Sequence, residues 1–174
     1  PAAAPAKELD ITALDIRIGK IIKAWPHPDA EKLFCEEIDL GEGKPRQIAS
    51  GLRPFYKTED LENRMVLVLA NLKARNLVGF PSHGMVLCAS NEDHTKVEFV
   101  VPPADAKIGE RVMFGDLTGE PEAENKVAKK KMAEKLLPDL KTTAEGVVVW
   151  KDHASTTTAG PVKALNGMPN AHVG

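Results

Sequence analysis

A mainly β fold, a compact five-stranded barrel carrying a small α+β extension, is predicted by three observations. Residues 13–24 (ALDIRIGKIIKA) alternate, with Leu14, Ile16 and Ile18 on one face and Asp15, Arg17 and Gly19 on the other. Several short apolar runs follow, separated by turn residues and interrupted by a single short helical pattern. At about residue 118 the character changes, from strand-like runs to a Lys-rich helical stretch.

Residues 1–12, rich in Pro, Ala and Lys, read as a linker, so the chain looks like a piece of a longer protein. After Gly19 the alternation slips by one residue, with Ile21 and Ile22 adjacent, which predicts a bulge or bend near Gly19. His27-Pro-Asp-Ala-Glu-Lys32 predicts a loop entering one helical turn with Asp29 as its cap. A strand over 33–40 and a Gly41-Glu-Gly-Lys-Pro45 turn lead into Arg46-Gln-Ile-Ala-Ser50. That Gly-x-Gly-Lys has neither the spacing nor the following helix of a phosphate loop. A helix around 58–62 precedes the apolar run 64–69; 84–90, 97–101 and 109–114 complete the strand series. This pattern suits an oligonucleotide/oligosaccharide-binding (OB) barrel, and periodicity alone leaves an SH3-like barrel open. The division is therefore 13–117 for the barrel and 118–174 for the extension, with one helix over 123–137, a strand over 146–150 and a tail rich in Thr, Ala, Gly and Asn.

The formal charge of -2 and a pI near 6.3 exclude a globally basic nucleic-acid binder, so an RNA site would be a local patch. Cys35 and Cys88 lie inside apolar runs, as buried thiols of a reducing compartment do, and a cytoplasmic location is expected. No Cys/His group has metal-ligand spacing, no cofactor motif occurs, and no run is long and apolar enough for a membrane span. Nor does any nucleophile sit beside a base: Ser82 and His83 are adjacent, and adjacent strand residues face opposite ways. His27 before Pro28 reads as a loop-fixing residue. An enzyme is not expected.

The segment Asn71-Leu-Lys-Ala-Arg-Asn-Leu-Val-Gly-Phe-Pro-Ser-His-Gly-Met85 is the informative one, since it gathers polar groups directly before an apolar strand. Lys73 and Arg75 offer charge, Asn71 and Ser82 hydrogen bonds, and Gly84 close approach of a ligand backbone; an ordinary turn at Gly79-Phe80-Pro81 is the competing reading. Lys20 and Lys23 could reach the same end of the barrel. Lys126, Lys129, Lys130, Lys131 and Lys135 form a dense stretch on the predicted helix, within a segment, 118–174, holding eight Lys and seven acids. Aromatic residues are only 5%, with Trp25 and Phe80 the best candidates for exposed rings. Binding would therefore rest on phosphates, sugars and shape rather than base stacking.

Leu14-Asp-Ile-Arg-Ile-Gly-Lys-Ile-Ile22, His27-Pro28-x-Ala30-x-x-Leu33, Ser50-Gly51-Leu52, Asn63-Arg64, Asn71-Leu72-Lys73, Gly79-x-x-Ser82-x-Gly84-Met85, Pro102-Pro103 and Gly119-Glu120-Pro121 occur in order. Together, over residues 13–151, they resemble the tRNA-binding domain of endothelial monocyte-activating polypeptide II. The resemblance implies an OB fold that binds structured tRNA with little sequence specificity and assists an aminoacyl-tRNA synthetase or a multisynthetase complex. It also implies a monomer whose C-terminal unit packs on the barrel. The residue pattern and the resemblance together give an expected RNA-binding set of Lys20, Lys23, Asn71, Lys73, Arg75, Ser82, Met85, Lys129, Lys130 and Lys131, in which Arg75 stands near the family's missing cations rather than matching one. The family's further cations are absent at Asn76 and Val78, and its Trp is replaced at Ala133. The alternative is a protein-interaction or cytokine-like signalling module, because Arg17-Ile-Gly-Lys-Ile-Ile-Lys23 resembles the family's signalling heptapeptide. Neither a His-x-Gly-His nor a Lys-Met-Ser-Lys-Ser signature occurs, so a synthetase's catalytic part is excluded.

Overall fold

The computed structural model describes residues 9–174. In chain order the strands are β1 (Ile16–Pro26), β2 (Phe34–Asp39), β3 (Arg46–Ser50), β4 (Met65–Leu69), β5 (Arg75–Leu77), β6 (Phe80–Ser82), β7 (Met85–Val86), β8 (Cys88–Ser90) and β9 (Val97–Val101). They continue with β10 (Met113–Phe114), β11 (Leu140–Thr142), β12 (Val148–Trp150), β13 (His153–Thr156), β14 (Lys163–Ala164) and β15 (His172–Val173). Helix α1 (Thr58–Leu61) lies between β3 and β4, and α2 (Glu124–Lys129) and α3 (Met132–Leu136) follow β10. The first sheet, in the order β3-β2-β1-β4-β7, is antiparallel. It curls until β3 meets the residues beside β7, where His83 N–H donates to the Gln47 carbonyl at 2.9 Å. The result is the nearly closed barrel of an OB-like fold.

The apolar runs are continuous because the barrel strands are buried on both faces. In β4, Val66 and Val68 point inward with Ile21, Phe34, Ile38 and Ile48, whereas Leu67 and Leu69 point outward. There they pack with Val127, Met132, Leu136, Leu140, Val148 and Trp150 of the later chain. Strand β1 divides likewise, Ile16 and Ile18 to the outer core and Ile21 and Ala24 to the inner. A barrel with so apolar an outside needs a cover, and residues beyond 117 supply it.

Three local expectations in the first half of the chain are corrected. The bulge in β1 falls at Ile22, between Ile21 paired with Ile38 and Lys23 paired with Glu37, and leaves Ile22 exposed. Gly19 instead permits close contact, since a Cβ there would lie 2.7 Å from Leu40 Cδ2 and 2.9 Å from Ile38 Cγ2. Residues 28–32 make turns rather than a helical turn, and the Asp29 N–H donates to His27 Nδ1 at 3.0 Å. Of the residues read as linker, 1–8 lie outside the described residues, while Ile11–Ala13 forms a buried 3₁₀ turn capped by Asp10.

The single helix predicted over 123–137 is two, α2 and α3, broken at Lys130 and Lys131, with Lys131 left-handed at φ 51°. Val127 and Met132 are both buried, yet five residues at about 100° each would place them about 140° apart on one straight helix. The break turns both toward the same core. The expected tail is also structural: β14 pairs with β9 and β15 with β8 and β11, and Val162 and Val173 are fully buried. One eight-stranded sheet, β10-β13-β12-β11-β15-β8-β9-β14, therefore takes strands from both sides of residue 118.

Cys35 and Cys88 are free and buried, and burial pushes the Cys88 thiol up to about 12. Glu36, on β2 between the inward-facing Phe34 and Ile38, is fully buried in the barrel. Its Oε1 accepts from the Ser50 hydroxyl, Oε2 has no partner among the described residues, and burial pushes its carboxyl up to about 8.

Candidate nucleic-acid interface

The segment after β4 leaves the barrel under tight control. Asn71 is buried: its Oδ1 accepts from Asp15 N–H at 2.8 Å, and its Nδ2 donates to the Ala13 and Glu122 carbonyls at 2.9 and 2.8 Å. It thus joins the start of β1, the end of β4 and the chain entering α2, and its amide has no group free for a ligand. Ser82 is likewise buried, accepting from Ala49 N–H at 3.0 Å and donating to the Gly84 carbonyl at 3.1 Å. The close approach at Gly84 is to the protein itself, because a Cβ there would lie 3.0 Å from the Leu69 carbonyl oxygen and 3.1 Å from Ile48 Cδ1. These three residues hold the segment; they do not present it.

What they present is Leu72-Lys73-Ala74 and the hairpin β5–β6. Leu77 pairs with Phe80, so the turn is Val78-Gly79 rather than Gly79-Phe80-Pro81, with φ of 52° and 81°. Both positions need left-handed backbone, which suits Asn-Gly and strains a β-branched residue. Val78→Asn is accordingly expected to stabilise the chain by about 1 kcal/mol, raising Tm by roughly 2–4 °C in thermal melts. The tip is fixed by His27, whose Nδ1 accepts from Asp29, so that Nε2–H donates to the Leu77 carbonyl at 3.1 Å. Phe80 meets Trp25 edge-on at 6.0 Å, and Lys23 Nζ lies 5.2 Å from the centre of the Trp25 ring. Both rings are half-buried.

Lys73 and Arg75 are exposed, and neither pairs with a carboxylate among the described residues. With Leu72, Met85 and His172 they form a ridge between two grooves of about 490 and 530 Å³. One groove runs toward Ser50, Leu52, Phe55 and His94; the other lies against Val127, Ala128, Ala133 and Glu134 of α2 and α3. His172 is not legible from sequence, for nothing there marks the end of the chain as returning to the barrel.

The other predicted cations are dispersed. Lys20 is half-buried opposite Asp39 and Met65 and borders neither groove, whereas Lys23 shares the hairpin's side through Trp25. Lys129, Lys130 and Lys131 sit at the α2–α3 break, all exposed. Lys130 joins Lys126 and Lys135 around a separate hollow beneath Thr12 and Ala13, where Glu122 holds Lys126 at 3.0 Å. The lysine stretch is thus not one helical face, because the break scatters it. No group of three or more His, Cys, Asp or Glu that could hold a metal occurs among the described residues, and no helix there is long and apolar enough to cross a membrane.

Residues 16–111 match the model of the "Putative tRNA binding domain" family. The chain is 53% identical over 158 residues to a probable methionine–tRNA ligase of Oryza sativa subsp. japonica, covering 90% of this chain and 20% of that protein. It is 43% identical over 150 residues to the aminoacyl tRNA synthase complex-interacting multifunctional protein 1 of Mus musculus, covering 86% of this chain and 47% of that one. It thus spans between a fifth and a half of the length of these relatives. The crystal structure of the C-terminal domain of Plasmodium vivax p43 superposes with a TM-score of 0.88 at 35% identity, covering 96% of this chain and 100% of that one. The matched span contains the barrel and the anchored segment 71–85 with Lys73 and Arg75, and the chain belongs to the tRNA-binding domain family, a non-catalytic RNA-binding module.

Proposed function

We propose that this chain binds the phosphate backbone of structured tRNA through the ridge bearing Lys73 and Arg75, and delivers that tRNA to an aminoacyl-tRNA synthetase, within the same polypeptide or bound to it. The single observation that carries the reading is the ridge itself: two cations, unpaired among the described residues, on the anchored segment 71–85 that lies within the span matching the family, between two grooves. Met85 lines both grooves and Lys23 flanks the hairpin; Lys129, Lys130 and Lys131 extend the positive surface beyond α2. Lys20 belongs to the set only as a peripheral charge. Asn71 and Ser82 serve by positioning.

The module acts as a monomer, since the apolar outer face of its barrel is covered by its own residues 118–174 rather than by a second copy. A methionine–tRNA ligase of Arabidopsis thaliana, 47% identical over 163 residues and covering 94% of this chain and 20% of that protein, is named as cytoplasmic, which supports a cytoplasmic setting. The stretch Arg17–Lys23 lies in β1, with Ile18 and Ile21 fully buried, which favours tRNA binding over the signalling alternative.

Filter-binding titrations with tRNA at several salt concentrations test the reading. Affinity is expected to fall steeply with salt, log K dropping by about 0.9 per log unit of salt for each duplex phosphate contacted, and to differ little among tRNAs. No affinity at low salt, or a salt-independent one, would sink it.

A further inference from the structure

We propose that Arg46 is a positioning residue for RNA binding: its guanidinium clasps both ends of the segment that carries Lys73 and Arg75. From the start of β3, its Nη1 donates to the Ala70 carbonyl at 2.6 Å and to the His83 carbonyl at 2.9 Å. Ala70 directly precedes Asn71, and His83 directly follows Ser82, so one nitrogen bridges the two points where the segment leaves and rejoins the barrel.

The rest of the guanidinium is occupied by Glu42 in the β2–β3 turn. Nε and Nη2 donate to its two carboxylate oxygens, each at 2.8 Å. Arg46 is therefore charge-compensated and engaged on every nitrogen, unlike Lys73 and Arg75, and is poorly placed to take a phosphate. The arrangement extends through Arg17, whose Nη1 lies 4.0 Å from Glu42 and whose Nη2 lies 2.9 Å from Asp15. Asp15 completes the circuit through its backbone: its carbonyl accepts from Ala70 N–H at 2.7 Å, and its N–H donates to Asn71. An alternating chain of charges, Asp15, Arg17, Glu42 and Arg46, thus encloses the root of the RNA-facing segment. A root held this way leaves less conformational freedom to be lost when RNA binds, and that saving appears as affinity.

The inference rests on the ridge as the RNA site, and its test separates the two. Glu42→Gln removes a negative charge near the ridge, so charge alone would strengthen tRNA binding. The clasp requires the opposite, because Arg46 loses half of its brace: roughly three- to tenfold weaker binding in filter assays, with the salt slope unchanged. Arg46→Lys, which cannot span two carbonyls and a carboxylate, should show a similar loss. Hydrogen exchange gives a readout independent of RNA, and faster exchange in both variants is expected to be confined to residues 71–85. Unchanged or tighter binding by Glu42→Gln, or exchange that accelerates evenly across the chain, overturns the clasp. Failure of the wild-type chain to bind tRNA would instead overturn the ridge, and the exchange pattern would still judge the clasp.

Discussion

Replacing Lys73 and Arg75 together by Ala is expected to weaken tRNA binding roughly ten- to a hundredfold at low salt, about equally for all tRNAs. Each side chain is exposed and unpaired among the described residues, so its full charge is available to a phosphate. A hydrogen bond to a charged group is worth about 1.5–3 kcal/mol, of which exposed contacts deliver the smaller part. The salt slope should become shallower by up to about 2, one for each phosphate that the variant no longer neutralises. Filter binding across a salt series measures both quantities. Because both side chains are exposed and make no ion pair among the described residues, the melting temperature should not change. A slope that stays the same while affinity falls would mean that the two cations shape the segment without touching phosphate, and unchanged affinity would place the site elsewhere. Lys20→Ala, by contrast, should be nearly silent, since that side chain is half-buried opposite Asp39 and away from both grooves.

The barrel is legible in the sequence because its signals are local and repeated. Alternation in β1, the run of β4 and the Gly-Pro turn before β3 each specify an element within a few residues, and an ordered motif series adds the family. What is not legible depends on distant partners. Nothing near Asn71 says that its amide will meet Ala13, Asp15 and Glu122, so a buried anchor reads as a free hydrogen-bonding group. The lysine stretch looks like one helix because Ala, Lys and Glu are good helix formers. Its break follows from the demand that Val127 and Met132 face one core, which is a tertiary constraint. The end of the chain misleads for a similar reason: β14 and β15 are two residues each, too short for any periodicity, and exist because β9 and β8 offer edges. In the site, the exposed charges can be found from sequence, whereas the groups that hold them look like ligands.

Glu36→Gln is expected to stabilise the chain at neutral and alkaline pH and to leave it almost unchanged near pH 4. The native carboxyl, pushed up to about 8 by burial, keeps its proton across a range in which the unfolded chain, at its ordinary 4.5, has lost it. Between those values the native state binds more protons than the unfolded one, so stability is full below about 4.5 and declines as pH rises toward about 8. The cost accumulated by pH 8 is on the order of a few kcal/mol, which for a chain of this size is a shift of several degrees in Tm. Glutamine keeps the shape and an oxygen to accept the Ser50 hydroxyl, and it carries no proton to lose. Thermal melts at pH 5, 6.5 and 8.5 should therefore show the wild type falling away from the variant as pH rises, and a difference independent of pH would refute the assignment. The effect reaches the proposed RNA site, because Ser50 lines the groove beside Lys73 and Arg75. A charge forced into the barrel above pH 8 must draw in water or displace Ser50, so tRNA affinity should drop there in the wild type and hold in Glu36→Gln.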